Sequence, residues 1–232
     1  MPGVFYGIQM KKYLALISLL LISYYASAQP LSAVMTFESM TITTEGVKKQ
    51  TQFQERFIRD KNIVWSERII PKLVAHTDSA HHTEEEEHEH NLNFATAGKW
   101  LVRNPDNQIK FSFVREEDKK IIEPRLSEYG TLGFDGEWET AYYLVNRAAL
   151  KKMTELKRSA PDGAKWYQKQ DAHQFTRILW DEKKEIPLAI ESGKLDGTAN
   201  NKITLAITPF PAKMPWNTLK GYQTIAYEDL LD

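Results

Sequence analysis

The chain contains no cysteine, which removes disulfides, thiolate metal sites, covalent haem attachment and a lipid-modified cysteine from consideration. It has no excess of one charge: the formal net charge is −1, without the concentrated basic face that nucleic acid requires. After residue 28 no stretch approaches the roughly 20 consecutive apolar residues needed to cross a bilayer as a helix. No Gly-x-Ser-x-Gly elbow, phosphate loop, dinucleotide fingerprint or zinc-protease motif is present, and no repeat of fixed period. These absences point away from nucleotide-dependent and triad enzymes, and a non-enzymatic protein is expected.

What is present begins at the N-terminus. Lys11-Lys12, an apolar run from Tyr13 to Tyr25 and Ala26-Ser27-Ala28 follow the pattern of a secretory signal: charged start, short apolar middle, small residues for the peptidase. Residues 1–28 are therefore expected to be a cleavable signal peptide, cut between Ala28 and Gln29, and Met10 fits the initiator of that pattern better than Met1. An exported, periplasmic or secreted protein without disulfides depends on a hydrophobic core. About 200 residues suffice for one domain to bury most of its apolar surface, so 29–232 is expected to be a single β-rich domain.

The periodicity supports that fold class. Ala33 to Thr44, Thr51 to Ile58 and Ile63 to Ile70 alternate, are rich in β-branched and aromatic residues, and are separated by turns at Glu45-Gly46 and Arg59 to Asn62. Pro71 ends the third run, since proline has no amide hydrogen for a ladder. Further strands are expected at Phe94 to Val102 and Ile109 to Arg115, with Lys119 to Glu123 and Thr131 to Phe134 weaker candidates. Lys165 to Gln168, Gln174 to Trp180, Ile186 to Glu191 and Lys202 to Thr208 complete the set. Trp138 to Leu144 fits either a strand or a helix start, whereas Asn146 reads as the N-cap of a helix through about Arg158. Pro209 to Trp216 reads as an irregular strap on the sheet. About ten strands with one helix make a mainly β (α+β) protein, a curved antiparallel sheet or half-barrel with one covering helix.

Ile178-Leu179-Trp180-Asp181 through Pro187-Leu188-Ala189-Ile190-Glu191 forms an apolar strand, an Asp-initiated turn, a proline and the next strand. With residues 34–68 and 165–208 as the matching parts, the chain resembles the LolA/LolB-like proteins, periplasmic lipoprotein carriers and their relatives. The resemblance implies a twisted half-barrel with an apolar cavity for acyl chains or other hydrophobic ligands, hence a lipid or lipoprotein partner. Two features depart from the family pattern. The mature chain enters a strand almost at once, without a preceding amphipathic helix, and it carries an acidic histidine-rich loop over 75–92.

That loop holds five of the six histidines. Between 76 and 90 stand six carboxylates and no lysine or arginine, leaving +5 for the rest of the chain. Imidazole and carboxylate together suit divalent zinc, copper or nickel. His88 and His90 share a face if extended, and His81 and His82 lie far enough upstream for the chain to fold back and complete a four-ligand shell. The candidate metal ligands are His81, His82, His88 and His90, with His76, Glu87 and Glu89 as auxiliaries, for zinc or copper at moderate affinity. Such binding should weaken below about pH 6, because the histidines must lose protons to coordinate. A solvated insert that repels itself is the plainer alternative for a block of four glutamates.

Other candidates are weaker. His173 reads as a surface or strand-edge residue. Glu67 beside Trp65, and Glu137 and Glu139 beside Trp138, read better as outer-face charges than as a glycosidase pair. The six tryptophans read as core, with a ligand cavity as the alternative. The leading expectation is thus an exported, metal-capturing binding protein. A carrier of lipid or lipoprotein comes second, and an accessory protein of an envelope complex third.

Overall fold

The computed structural model describes residues 28–71, 94 and 96–230. The signal pattern up to Ser27 and the histidine-rich segment lie outside them.

Strands Leu31–Ile42 (β1), Lys48–Asp60 (β2) and Ile63–Ile69 (β3) form an antiparallel meander. It continues through Gly98–Arg103 (β4), Ile109–Arg115 (β5) and Lys120–Glu123 (β6). Two short helices follow, Trp138–Tyr143 (α1) and Arg147–Leu150 (α2). A second meander comprises Thr154–Leu156 (β7), Ala164–Gln170 (β8), Gln174–Asp181 (β9), Ile186–Lys194 (β10) and Ala199–Thr208 (β11). β11 pairs with β1, joining the two meanders, and Gln223–Ala226 (β12) adds to β6 in parallel. The result is one curved 12-stranded sheet in the order β12-β6-β5-β4-β3-β2-β1-β11-β10-β9-β8-β7, a mainly β half-barrel with helical cover.

Four details differ from the sequence expectation. The strand expected from Phe94 starts at Gly98, where a Cβ would stand 2.7 Å from the Trp65 ring; the missing side chain lets β4 pass over that ring. Thr131 to Phe134 is a turn rather than a strand, with Gly133 at φ +83°. The helix capped by Asn146 stops at Leu150 instead of Arg158, and Thr154–Leu156 becomes an edge strand against β8. Beyond the strap expected over Pro209 to Trp216, Gln223–Ala226 adds the parallel β12.

Alternation assigns each strand's side chains to two faces. Phe57, Ser66, Lys99, Phe113 and Ile122 form one row across five strands of the inner face. This face packs under α1 and α2 through Trp138, Tyr142, Tyr143 and Leu150, in the main core with Met35, Phe57, Phe111 and Ile178. On the outer face Ile58, Trp65, Val114 and Ile121 are covered by Met214, Trp216, Leu219 and Tyr222 of the C-terminal segment. Each large apolar side chain buried this way contributes about 1.5–3 kcal/mol, and a sheet covered on both sides needs no cystine to hold it.

Candidate functional site

The cover over the inner face is fixed by polar contacts. The Arg59 guanidinium, buried to 0 % exposure, donates from Nη1 to the carbonyls of Tyr142 (3.1 Å) and Glu185 (2.9 Å), and from Nη2 to the carbonyl of Lys184. The rings of Tyr142 and Tyr143 lie 5.0 and 5.4 Å from it. Burial lowers the Arg59 pKa from its ordinary value, opposed by the neighbouring tyrosines and Glu185. One β2 cation thus ties the end of α1 and the β9–β10 turn to the sheet. Beside it Arg147 bonds Glu139 (2.8 Å) and Glu185 (2.7 Å), and its hydrogen bond holds the Glu139 carboxyl below the usual range. Further along, the Tyr129 hydroxyl accepts from Phe111 N (3.1 Å) and donates to Ile109 O (3.2 Å), while Phe134 N donates to Tyr129 O (2.9 Å). The loop carrying Gly133, Phe134 and Asp135 is pinned over β5.

Between this cover and the sheet lies a cavity of about 320 Å³. Phe57, Val64, Leu101 and Phe111 form one side of it, and Met35, Phe37, Ile190 and Ile203 the other. Phe134, Ala141 and Leu144 close it from the cover. Ala141 matters because its small side chain on α1 leaves the space open. The polar groups on the wall are Glu55, Ser66 and Lys99 from the sheet and Asp135 and Thr140 from the cover. A half-open apolar pocket with a few placed polar groups is the usual character of a small-molecule site, and this one stands at the small end of the roughly 300–1,000 Å³ range. A larger cleft of about 600 Å³ opens at the β1–β2 and β10–β11 end, lined by Glu38, Gln50, Gln52, Asn200, Asn201 and Lys202 among others. Its amides and charges are well solvated without a ligand, so it offers less to displace water.

The metal ligands expected at His76, His81, His82, Glu87, His88, Glu89 and His90 lie outside the described residues. Among the described residues no group of three or more His, Asp or Glu is placed to hold a metal ion. His173 is exposed in the β8–β9 turn, its amide donating to Asp171 Oδ1 at 2.7 Å. Glu67 accepts from Trp65 Nε1 at 3.0 Å and pairs with Arg56, while Glu139 is held by Arg147; both carboxylates are engaged in structural contacts. Trp65, Trp138, Trp166 and Trp180 are buried in the core, and no tryptophan lines the apolar cavity.

Sequence reasoning missed the cavity residues. A signal for two of them was available: Glu55 falls between Phe53 and Phe57 on β2, and Lys99 two residues before Leu101 on β4. Both are charged residues at positions where alternation calls for apolar ones.

No protein-family model matches the chain, and no curated protein sequence matches it. Solved structures are similar in fold. A conserved protein from Thermus thermophilus matches at a TM-score of 0.40 and 7% identity, over 86% of this chain and 91% of the other. A domain from Vibrio parahaemolyticus, described as an outer membrane lipoprotein-sorting protein, matches at 0.32 and 10%, over 82% and 89%. The complex of MucA and MucB from Pseudomonas aeruginosa matches at 0.33 and 11%, over 82% of this chain and 55% of that one. At these identities and TM-scores the likeness concerns the fold alone.

Proposed function

We propose that the protein is an exported, non-enzymatic carrier that holds a single apolar chain, such as the acyl chain of a lipid or lipoprotein, between the inner face of its half-barrel and the α1 cover. The observation that supports this reading is the cavity itself: about 320 Å³, walled by aromatic and aliphatic side chains from both sheet and cover. Its small volume suits one slender chain better than a bulky molecule. The polar groups are confined to a few wall positions, which suits a ligand with a polar end. The signal pattern ending at Ala28 favours the periplasm as its place of work.

The test is binding of N-phenylnaphthylamine, a probe that fluoresces in apolar surroundings, with native mass spectrometry of gently purified protein. The expected result is saturable fluorescence displaced by a dodecyl compound, and a co-purifying lipid mass. Ala141→Trp, which fills the cavity from α1, should abolish both while the melting transition persists. Probe binding unchanged in that variant would contradict the reading.

Metal capture by His81, His82, His88 and His90 rests on the sequence alone and is a separate proposal. Calorimetric zinc titration decides it: binding at about pH 7.5 that fades below about pH 6 and is lost in the quadruple alanine variant is the expected outcome. Identical weak heats from both proteins would remove it.

A further inference from the structure

Glu55 and Lys99 stand on the cavity wall with opposite charges. Among the described residues, no ion pair within 4.0 Å and no hydrogen bond engages either side chain. Two further charges lie nearby: Asp135 on the cover, whose Oδ1 accepts from Glu137 N at 2.9 Å, and Arg68, opposite Glu55 in register, whose guanidinium lies over the Phe53 ring at 3.5 Å. On β2 Glu55 faces Arg68 of β3, and on β4 Lys99 faces Ser66 of β3, so Glu55 and Lys99 lie on a diagonal across the inner face with Ser66 beside Lys99. Two strand spacings, about 10 Å, separate their backbones, and the unpaired side chains leave room for a small charged group beside Ser66.

An apolar chain that filled the cavity alone would strip water from both charges without compensating either. A purely anionic head would satisfy Lys99 and leave Glu55 desolvated, and a purely cationic one the reverse. We propose that the ligand of this cavity is a single-chain amphiphile with a zwitterionic head of the phosphoethanolamine or phosphocholine kind. The phosphate lies at Lys99 and Ser66 and the ammonium at Glu55, and the chain runs towards Phe37, Ile190 and Ile203. This assignment rests on the carrier reading above and adds the chemistry of the head.

Four competitors with the same chain separate the two ideas: dodecylphosphocholine, dodecanoate, dodecyltrimethylammonium and dodecyl maltoside, each below its micellar concentration, displacing N-phenylnaphthylamine from the full protein. The expected result is displacement by dodecylphosphocholine at a roughly tenfold lower concentration than by the other three. Lys99→Met should make the trimethylammonium compound the best competitor, and Glu55→Gln should make dodecanoate the best. Melting curves check that each variant is folded, and the wild-type ranking stands as a test without them. Equal displacement by all four, or an order that neither substitution alters, overturns the zwitterionic assignment and leaves the carrier reading intact. Failure of the probe and of every dodecyl compound to bind overturns the carrier reading itself.

Discussion

The Asp181 carboxylate, 4 % exposed, organises the β9–β10 turn against which Arg59 is anchored. Its Oδ1 accepts from Lys183 N (3.0 Å) and Lys184 N (2.8 Å), and its Oδ2 pairs with Lys184 Nζ at 2.6 Å. Burial alone would raise this carboxyl, but the Lys184 ammonium and the two amides outweigh it and hold the pKa below its ordinary value. A depressed folded-state value means stability that is present above the unfolded pKa of about 3.9 and is lost as pH falls through the folded one. Asp181→Asn keeps an acceptor for the amides but gives up the charge, so it should cost about 1 kcal/mol at neutral pH. Urea midpoints of wild type and variant should differ at about pH 7 and draw together as pH falls below about 3.9, the unfolded value. A gap of constant size across that range would show that the charge contributes nothing.

Among the elements, those with strict alternation are legible in the sequence. β1, β2 and β3 fall where the pattern places them, because a two-residue period with β-branched side chains has no competing reading at that length. The helix from Asn146 is the instructive departure. The cap is real, Ala149 N donating to Asn146 Oδ1 at 3.0 Å, yet Ala148 and Ala149 face solvent and only Leu150 is buried. A short helix gains little without an apolar face to pack. Thr154, Glu155 and Leu156 instead form ladder bonds on the sheet edge, with Leu156 opposite Trp166. The C-terminal strap was legible as a cover, whereas β12 was not, since four residues paired in parallel leave no periodic trace. The strap's role is testable at Leu219, 6 % exposed in the outer cluster with Ile58 and Trp65. Leu219→Ala should lower stability by about 2–5 kcal/mol without changing probe binding on the inner face. Intact stability would mean that the strap only rests on the sheet.

For the whole molecule, the curved sheet follows from physical necessity: twelve twisted strands cannot stay flat. The place of the site does not follow so directly. Alternation shows which side chains share the inner face, but not which part of that face the cover leaves open. That depends on Arg59 meeting the end of α1, on Tyr129 pinning the Phe134 loop, and on a residue as small as Ala141 facing the sheet. The side-chain contacts of Arg59 and Tyr129 join segments 18 to 126 residues apart in sequence, beyond the reach of local pattern. Glu55 and Lys99 break the alternation in advance, and once the sheet is assembled they prove to stand on the cavity wall. The histidine-rich segment attracts the eye in the sequence, whereas the cavity is built from residues that looked like ordinary core.

The central claim, that an apolar chain lies between the sheet and α1, is tested most directly by nuclear magnetic resonance of isoleucine methyl groups with a nitroxide-labelled dodecyl chain. Ile190 and Ile203 line the cavity, Ile58 and Ile121 lie in the outer cluster, and Ile42 stands at the exposed β1–β2 end. The account predicts that the Ile190 and Ile203 signals broaden first and most, at substoichiometric label, with those of Ile58, Ile121 and Ile42 following only at higher label. Broadening led by Ile42 or by the outer-face methyls, or none at saturating label, would contradict it.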